Sequence, residues 1–500
     1  MRTHYRPTNY TKPTAMSLRR LLGFSATVSG RLPLRRCLST AAASHPPWPR
    51  SPSTAASSNP SRRHSLPAVA ASHPPWRRPL STAAPKHPPW AMIDYNSLVD
   101  ESSAAPGACF GPVEPPLVSR ITAPAHLLNP WERPATDSSV VQLVTGHVNA
   151  TSGDGHLLLT YYDILGEGPR ESWNGNANVE AERCICNPVS GEVLRLPYPG
   201  GSRKNLGHRH MGLLTQADGG CGHGPPDRFA VADIVSQRDR IVDRFLPEVG
   251  RWDLLLGVPC QPPLAWEMEM DQETVAFAGR LWWVDLTCGA VSMDPFSNQP
   301  ELRFVPLPNG TSLTFILMEH KDSSAEDVAR FRREVAKYRR IGVSEGRLRF
   351  VDASIHDPFL LSSYVLDDEG RMSWTLERQV ELRKVLEDGG HPCEQGKRPP
   401  QIAVIDPLNA DIIYITVGEQ KHIVAVDIYQ GKVIGSSPLQ NQYHSLVPCV
   451  LPPWLGSSQI PTAGTASKPS EWPQGYHQRR SSNDSSEKVL KVADGRLVLA

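Results

Sequence analysis

The sequence predicts an all-β fold, a β-propeller-like array of about six to eight blades with one inserted helix and a disordered N-terminal leader. Short apolar stretches, split by Gly, Asp, Asn and Pro, fill residues 138–455, and two small patterns recur within them. A body of about 360 residues would hold six to eight blades at ~45 residues each. A β-sandwich pair is the alternative, because periodicity alone does not count blades.

The first recurring pattern is Gly-Arg-Leu followed by alternating apolar residues. It occurs at residues 279–285 and 346–352, with weaker echoes at 155–159 and 495–499. Glycine permits the positive φ that a tight hairpin requires, and the residues after it alternate between the two faces of a strand. Each copy therefore predicts a hairpin turn that leads into a strand.

The second pattern is Asn or Asp, three residues, Gly, one residue, Val. It begins at Asn187, Asp285 and Asp427. The first side chain can cap the turn, and the glycine supplies a left-handed position. A strand is predicted before each copy, at residues 183–186, 281–284 and 423–426. Strand, turn and strand at long intervals suggest sheets arranged around an axis.

One helix interrupts the strands. Ser323 to Glu326 has the spacing of a capping box, and apolar residues recur at helical intervals beyond it. The predicted buried face carries Val328, Phe331, Val335 and Tyr338. The predicted solvated face carries Arg330, Arg333, Lys337 and Arg340.

The N-terminal leader differs in charge from the rest of the chain. No Asp or Glu precedes Asp94, whereas 14 of the 52 Lys and Arg do, which leaves 38 basic against 51 acidic residues, a balance of −13. Residues 1–38 are rich in Arg and Ser, as in an organelle transit peptide, with Met1 or Met16 as the start. They predict a mitochondrial location, with the plastid, or the cytoplasm and nucleus, as alternatives.

Residues 39–90 form a Pro-, Ser- and Ala-rich linker built from 14-residue repeats. The tetrapeptide His-Pro-Pro-Trp occurs at residues 45–48, 73–76 and 87–90. Such a composition cannot bury a core, so the linker is predicted to be disordered. Only the last copy borders foldable sequence, and we interpret it as the parent of the others.

Composition also limits the function. The acidic body argues against a nucleic-acid binder, which needs clustered positive charge. No apolar run reaches the ~18 residues of a membrane span. Nine irregularly spaced cysteines predict free thiols rather than a disulfide framework. We expect a monomer with a protein partner and no cofactor.

Several segments of the body resemble the plant family that carries domain of unknown function 1618. These segments are residues 228–256, 275–308, 338–354 and 367–382. The resemblance covers roughly residues 87–455, and Gly-Arg-Leu-Trp-Trp-Val-Asp is its most specific block. It implies a plant source and a propeller-like domain over residues 91–455. It implies no activity, since the family has no assigned catalytic residues.

The predicted blades also look like those of F-box-associated and kelch domains. Residues 186–197, CNPVSGEVLRLP, are similar to the Asn-Pro…Gly…Leu-Pro turn of the former. That resemblance implies a substrate-binding adaptor. An F-box helix set is absent from the sequence before the predicted blades, where the basic leader stands instead.

The most ligand-like positions are cysteine and histidine pairs. They are Cys184 with Cys186, His208 with His210, and Cys221 with His223. Alternate residues of a strand face one side, so each pair could hold a metal, but none of the spacings is that of a zinc finger. Buried thiols in a strand are ordinary core residues. A metal site therefore stays unknown at this stage.

Acidic and aromatic groups give the remaining candidates. The acidic groups are Asp367-Asp368-Glu369, Glu267 with Glu269, and Asp285 with Asp294. Residues 367–370 favour a hairpin turn, whereas a glycosidase would need two carboxylates in one cleft. Trp282 and Trp283 should face opposite sides of a strand, with at least one packed between blades. The sequence contains no nucleophile elbow, phosphate loop or dinucleotide fingerprint, so we assign no catalytic residue.

These observations favour a non-catalytic propeller that binds a protein partner. A hydrolase or metal-binding enzyme with its site in the central funnel is the alternative. Beyond the body, residues 456–487 predict a flexible linker, and residues 488–500 predict a β-hairpin around Asp494-Gly495.

Overall fold

A computed structural model describes the body of the chain and a short C-terminal segment. The described residues are 87–128, 140–167, 178–204, 206, 210–217, 224–261, 268–270, 272–313, 324–368, 373–391, 399–418, 422–439, 445–462, 490–493 and 496–499.

Strands dominate and fall into six groups, which we call blades 1 to 6 in chain order. Blade 1 contains β1 (Trp90–Asp94), β2 (Asn96–Asp100), β3 (Cys109–Gly111) and β4 (Val118–Pro124). Blade 2 contains β5 (Val140–Thr151), β6 (Leu157–Glu167), β7 (Asn178–Cys186) and β8 (Val193–Arg195). Blade 3 contains β9 (Gly212–Gln216), β10 (Arg228–Ser236), β11 (Ile241–Leu246) and β12 (Arg251–Leu255).

The second half of the chain repeats this arrangement. Blade 4 contains β13 (Cys260–Gln261), β14 (Thr274–Phe277), β15 (Arg280–Asp285), β16 (Gly289–Met293) and β17 (Leu302–Pro306). Blade 5 contains β18 (Arg339–Ser344), β19 (Arg347–Ala353), β20 (Leu360–Asp368) and β21 (Ser373–Glu381). Blade 6 contains β22 (Gln401–Ile405), β23 (Ile412–Val417), β24 (His422–Asp427) and β25 (Lys432–Pro438), and β26 (Leu446–Val450) returns to blade 1.

Within blades 2 to 6, successive strands pair antiparallel, as in a meander, except that β13 of blade 4 pairs parallel with β17. Blade 1 is built from both ends of the described body. Its strand β26 pairs antiparallel with β1, from Trp90 opposite Val450 to Asp94 opposite Leu446, and β1 in turn pairs with β4. The first and last strands of the body are thereby joined by a ladder of backbone hydrogen bonds.

Two observations establish a closed ring of blades. The innermost strands contact one another in the order β5, β9, β14, β18, β22 and β26, and β26 contacts β5 again. Six hydrophobic clusters separate the sheets, one at each blade junction, including the junction of blade 6 with blade 1. The propeller-like prediction is confirmed, with six blades. Two facing sheets would share one core, so the sandwich alternative is wrong.

The Gly-Arg-Leu turns form as predicted. Gly279 and Gly346 have φ of 71° and 70°, and the residues before them, Ala278 and Glu345, are also left-handed. Two consecutive positive φ angles are those of a two-residue type I′ hairpin.

The turns of the second pattern form in two ways. Gly191 and Gly431 have positive φ, and Asn187 and Asp427 accept hydrogen bonds from backbone N–H groups inside their turns. The prediction of a left-handed glycine is wrong at Gly289, which lies in β16. A Cβ there would stand 2.4 Å from the Val305 carbonyl oxygen, so this glycine serves close packing instead.

Two helices accompany the blades. Helix α1 (Ala325–Val335) confirms the predicted helix, although Ser324 is the cap and accepts from the Asp327 N–H. Helix α2 (Leu382–Asp388), with Leu382, Val385 and Leu386 buried, was not predicted. It lacks a side-chain cap and has only seven residues, so its sequence carries a weak helical signal.

The predicted faces of α1 are mostly correct. Phe331 and Val335 are buried, and Arg330 and Arg333 are exposed. The prediction of a solvated Arg340 is wrong, because this residue lies on β18 and its guanidinium pairs with Glu273.

The third His-Pro-Pro-Trp copy belongs to the fold. The Pro89 carbonyl accepts from the Leu451 N–H, and Trp90 is buried against Tyr414 with ring centres 5.5 Å apart. The four residues after Trp90 are all buried, whereas the earlier copies continue into Pro and Arg. Those copies, the transit segment 1–38 and most of the linker predictions lie outside the described residues.

At the C-terminus, β27 (Leu490–Ala493) and β28 (Arg496–Leu499) pair antiparallel with each other. Three short 3₁₀ turns complete the described elements, at Ala125–Leu128, Pro199–Gly201 and Leu455–Ser457. None of the helices in the described part of the chain is long and apolar enough to cross a bilayer.

Candidate functional site

The most distinctive polar region of the body lies at the junction of blades 1 and 2, and we call it the blade 1/2 cleft. Strand β7 alternates across its sheet, so Glu180, Glu182, Cys184 and Cys186 all face blade 1. The two cysteines lie in the hydrophobic cluster of this junction. The two glutamates continue the same face beyond that cluster, where the packing changes from apolar to polar.

A third carboxylate joins them from the neighbouring strand. Asp163 on β6 stands directly opposite Glu180, and Tyr161 stands opposite Glu182. Asp163, Glu180 and Glu182 are only 5%, 6% and 3% exposed. Three buried acidic groups on one patch of sheet need partners, because an uncompensated buried charge is costly.

Arg203 is the basic residue that lies against the two glutamates. Its Nε is 3.1 Å from Oε2 of Glu180, and its Nη2 is 3.8 Å from Oε2 of Glu182. The backbone N–H of Ala181 donates to the Arg203 carbonyl, which holds this residue beside β7.

Neutral donors contact two of the three carboxylates. The Tyr198 hydroxyl donates to Oε2 of Glu182 at 2.9 Å, and Nε2 of Gln142 lies 2.8 and 3.0 Å from the two Asp163 oxygens. Hydrogen bonds of this kind keep the carboxylates oriented without neutralising them.

Burial dominates the titration of this site. It raises the pKa of Glu182, and the Tyr198 hydrogen bond and the Arg203 charge offset only part of the rise. Burial likewise raises the pKa of Tyr161 well above its usual range. Burial therefore disfavours the charged forms of Glu182 and Tyr161.

Some of these groups line the cleft, whose volume is about 10 Å³, roughly the room of one water molecule. Its walls are Leu128, Val144, Tyr161, Asp163, Glu182 and Arg203. Ligand pockets for small molecules usually occupy about 300–1,000 Å³. The cleft is therefore too small to enclose a metabolite, and a partner would meet it from outside, at its mouth.

Contacts between blades cross the axial region of the ring. Backbone pairing joins β14 directly to β5, with Thr274 opposite Ala150. Beside it, the Arg340 guanidinium pairs with Glu273 and donates to the Leu446 carbonyl at 2.9 Å. Side chains and backbone of blades 1, 2, 4 and 5 thus meet at the centre, where the alternative hypothesis placed an enzymatic funnel.

The predicted metal-ligand pairs do not converge in the described residues. Cys184 and Cys186 are buried thiols, and burial raises the pKa of Cys186 to about 12. His210 is described, and its backbone carbonyl accepts from the Thr274 hydroxyl and the Trp283 indole. His208, Cys221 and His223 lie outside the described residues. No group of three potential ligands occurs within the described ranges.

The predicted acidic groups serve the scaffold where they are described. Asp367 accepts from Arg347 and Thr375 at the end of the β20–β21 hairpin, where Asp368 stands opposite Ser373. Asp285 is fully buried and pairs with Arg332 on α1 at 2.9 Å.

The other acidic candidates are spread over separate contacts. Glu269 lies 3.6 Å from Arg332, and its backbone N–H donates to Asp285. The Asp294 carboxylate caps its own turn by accepting from the Phe296 N–H. Glu267 and Glu369 lie outside the described residues.

Trp282 and Trp283 are both fully buried, on opposite sides of β15. Trp282 belongs to the cluster between blades 4 and 5, and Trp283 belongs to the cluster between blades 3 and 4. The prediction that at least one packs between blades is confirmed, and both do.

Sequence reasoning missed the blade 1/2 cleft. Its signal was the alternation of Glu180 and Glu182 with Cys184 and Cys186, which places two acids on a face predicted to be buried. Asp163, Tyr198 and Arg203 are distant in sequence from those positions, and only the fold brings them together.

Comparison with known proteins supports the family resemblance for part of the chain. Residues 283–414 match the model of the family described as protein of unknown function (DUF1618). This segment runs from β15 in blade 4 to β23 in blade 6 and excludes the blade 1/2 cleft. No curated protein matches the chain.

Solved structures show weak similarity over more than half of the chain. A nidogen/laminin complex shares 12% identity, with 61% of this chain and 85% of that chain covered and a TM-score of 0.29. The β-propeller domain of Myceliophteria thermophila Cps50 (Swd1) shares 9%, with 60% and 76% covered and a TM-score of 0.29. A family 117 glycoside hydrolase of Zobellia galactanivorans shares 10%, with 68% and 94% covered and a TM-score of 0.23. Similarities this weak carry no information about ligands of this chain.

Proposed function

We propose that this protein is a non-catalytic binding module, a six-bladed propeller that contacts a basic side chain of a protein partner at the mouth of the blade 1/2 cleft. The observation that carries the proposal is the cluster of three buried carboxylates at this junction, two of which lie beside Arg203. A lysine or arginine of a partner would be attracted to these carboxylates and could form charge-assisted hydrogen bonds with them.

Charge at the scale of the whole body supports the same partner. Residues 94–500 carry 38 basic and 51 acidic residues, so a basic segment would be attracted over a distance before it docks. The cleft is too small to enclose a metabolite, which favours contact with the surface of a partner.

The test uses an arrayed library of short synthetic peptides in which every Lys or Arg also appears replaced by Gln. We expect the full chain to retain peptides with a basic residue and to lose their Gln versions. Glu182→Gln should weaken retention at least about tenfold, because removal of one buried charge from an interfacial pair costs 2–5 kcal/mol.

Glu248→Gln is the matched control, since Glu248 is exposed on the turn between β11 and β12 in blade 3. Equal retention by the Glu182→Gln variant and the wild type would contradict the proposal. Turnover of a metabolite by the purified chain, with no peptide selectivity, would favour the enzymatic alternative.

We further propose that the protein is a plant protein and acts in the mitochondrion. The acid-free, Arg-rich composition of residues 1–38 supports this location. A fluorescent fusion of residues 1–93 in plant cells tests it, with mitochondrial import as the expected outcome. Diffuse fluorescence in the cytoplasm and nucleus would contradict it.

A further inference from the structure

Two histidines meet on blade 6, far in sequence from the cleft residues. The ring centres of His391 and His422 are 5.9 Å apart, and the ring planes are inclined by 47°. His391 follows helix α2, and His422 opens strand β24. Both side chains are half-buried, so solvent and ions reach them.

The backbone of His391 is fixed by the end of α2. Gly390 has φ of 77°, its N–H donates to the Glu387 carbonyl at 3.2 Å, and the His391 N–H donates to the Leu386 carbonyl at 2.8 Å. This pair of bonds is a Schellman motif, which sets the direction in which the chain leaves a helix.

The helix is itself held against blade 6. A Cβ on Gly389 would stand 2.4 Å from the Val433 side chain, so the end of α2 lies directly on β25. Leu386 is fully buried in the cluster between blades 5 and 6. His391 therefore starts from a rigid position rather than from a free loop.

The backbone of His422 is also fixed, because this residue lies in a strand that pairs on both sides. It stands opposite Val417 of β23 and Pro438 of β25. Two neighbouring strands thus fix its backbone, and the side chain needs only rotamer changes to adjust. The two imidazoles are presented to each other by independent, well-packed elements.

We propose that His391 and His422 bind one divalent transition-metal ion, with Zn²⁺ as the preferred occupant. Zinc–nitrogen bonds of about 2.0–2.1 Å place the centres of two imidazoles on one ion roughly 5–6 Å apart. The observed 5.9 Å falls in this range. Neither imidazole forms a hydrogen bond or an ion pair with another described residue, so ring nitrogens stay available to an ion.

Two protein ligands leave coordination positions open to water. Such a site exchanges its ion with solvent, unlike a structural zinc site closed by four residues. Imidazole also suits Cu²⁺ and Ni²⁺, whereas Mg²⁺ and Ca²⁺ prefer oxygen ligands and should not compete. The site is separate from the blade 1/2 cleft and does not depend on the proposed function.

The experiment is a zinc titration of the full chain by calorimetry, after removal of metal with a chelator. We expect the wild type to bind one more equivalent of Zn²⁺ than the His391→Ala and His422→Ala variants bind. His356→Ala is the control, because His356 is an exposed histidine between β19 and β20. It should bind as much zinc as the wild type.

Co²⁺ gives an independent readout, because its visible spectrum reports nitrogen ligands. The wild type and His356→Ala should share a spectrum that both variants of the pair lose. Circular dichroism checks that the variants are folded. The same zinc stoichiometry and Co²⁺ spectrum in wild type and folded His391→Ala/His422→Ala would overturn the proposal.

Discussion

The two faces of blade 2 bury similar numbers of charged groups and differ in how those charges are matched. Glu182 and Arg183 are adjacent on β7 and therefore point to opposite faces. The face toward blade 1 carries three carboxylates beside Arg203 and opens into the cleft. The face toward blade 3 buries Arg183 beside Asp233 and Asp243, which stand opposite each other on β10 and β11.

We interpret the cluster on the blade 3 face as structural and the cluster on the blade 1 face as a binding site. Burial lowers the pKa of the Arg183 guanidinium, while Tyr162, Asp233 and Asp243 favour its charged form. That cluster lies inside a blade junction next to apolar residues of both sheets. The acidic cluster lies at the end of its junction, beside the cleft. We expect the first to control stability and the second to control binding.

The largest effect should come from breaking the cluster on the blade 3 face. Arg183→Met removes the cation and leaves Asp233 and Asp243 as buried like charges, which should destabilise the fold by about 3–5 kcal/mol. Urea unfolding measures the loss. Arg251→Met is the control at an exposed position of β12 and should change stability by less than about 0.5 kcal/mol. A similar small change for Arg183→Met would mean that its charge is solvated.

A second test concerns the apolar part of the face toward blade 1. Cys186 lies deep in that junction, and Cys186→Ser would place a hydroxyl there, at a cost of about 1–3 kcal/mol. Cys109→Ser, at an exposed thiol, should have little effect. Because the pKa of Cys186 is about 12, iodoacetamide at pH 8 should label Cys109 much faster, as mass spectrometry would show. Rapid labelling of Cys186 in the folded protein would show that water enters the junction.

Asp406 is a buried carboxyl outside both charge clusters, so it shows what burial alone does to the pH dependence of stability. Asp406 lies in the β22–β23 turn, where it accepts from the N–H groups of Leu408 and Asn409 and from Tyr414. Burial raises its pKa to about 6. The folded chain therefore binds this proton more tightly than the unfolded chain, so stability from this group is present at low pH and is lost as the pH rises through 6.

Between pH 5 and pH 8, Asp406 should thus reduce the free energy of unfolding by about 1–1.5 kcal/mol. Asp406→Asn should remove this part of the pH dependence and leave the rest unchanged. Parallel urea titrations of wild type and variant at the two pH values give the difference. Parallel pH profiles for the two proteins would show that Asp406 is ionised at pH 5 as well.

The repeated turns made the fold predictable from sequence. Gly279 and Gly346 mark hairpins because few other residues tolerate their backbone angles, and that constraint is local. Trp282 and Trp283 could be assigned to opposite faces because strand alternation is also local. The number of blades could not be fixed, because it depends on the pairing of β1 with β26, more than 300 residues apart.

The cleft was less predictable for the same reason. Glu182 becomes a site residue through Arg203, Tyr198 and Asp163, and each of these contacts depends on how the chain folds back on β7. The described members of the acidic groups singled out from sequence form local turns and ion pairs instead. Asp285, for example, pairs with Arg332 and accepts a hydrogen bond from the Thr287 N–H in its own turn.

The smallest effect on stability, and the sharpest test of the comparison, is expected for Glu182→Gln. The amide keeps the shape of the side chain and can still accept from the Tyr198 hydroxyl, so the free energy of unfolding should change by about 1 kcal/mol or less. Since burial raises the pKa of Glu182, the carboxylate weakens the fold as the pH rises, and the variant should lose that dependence. If the two faces of blade 2 differ in this way, Glu182→Gln will leave the free energy of unfolding nearly unchanged and will abolish most peptide binding. Arg183→Met will instead lower the free energy of unfolding and keep peptide binding at temperatures where it remains folded. A loss of stability at Glu182→Gln as large as that at Arg183→Met would show that both clusters are structural.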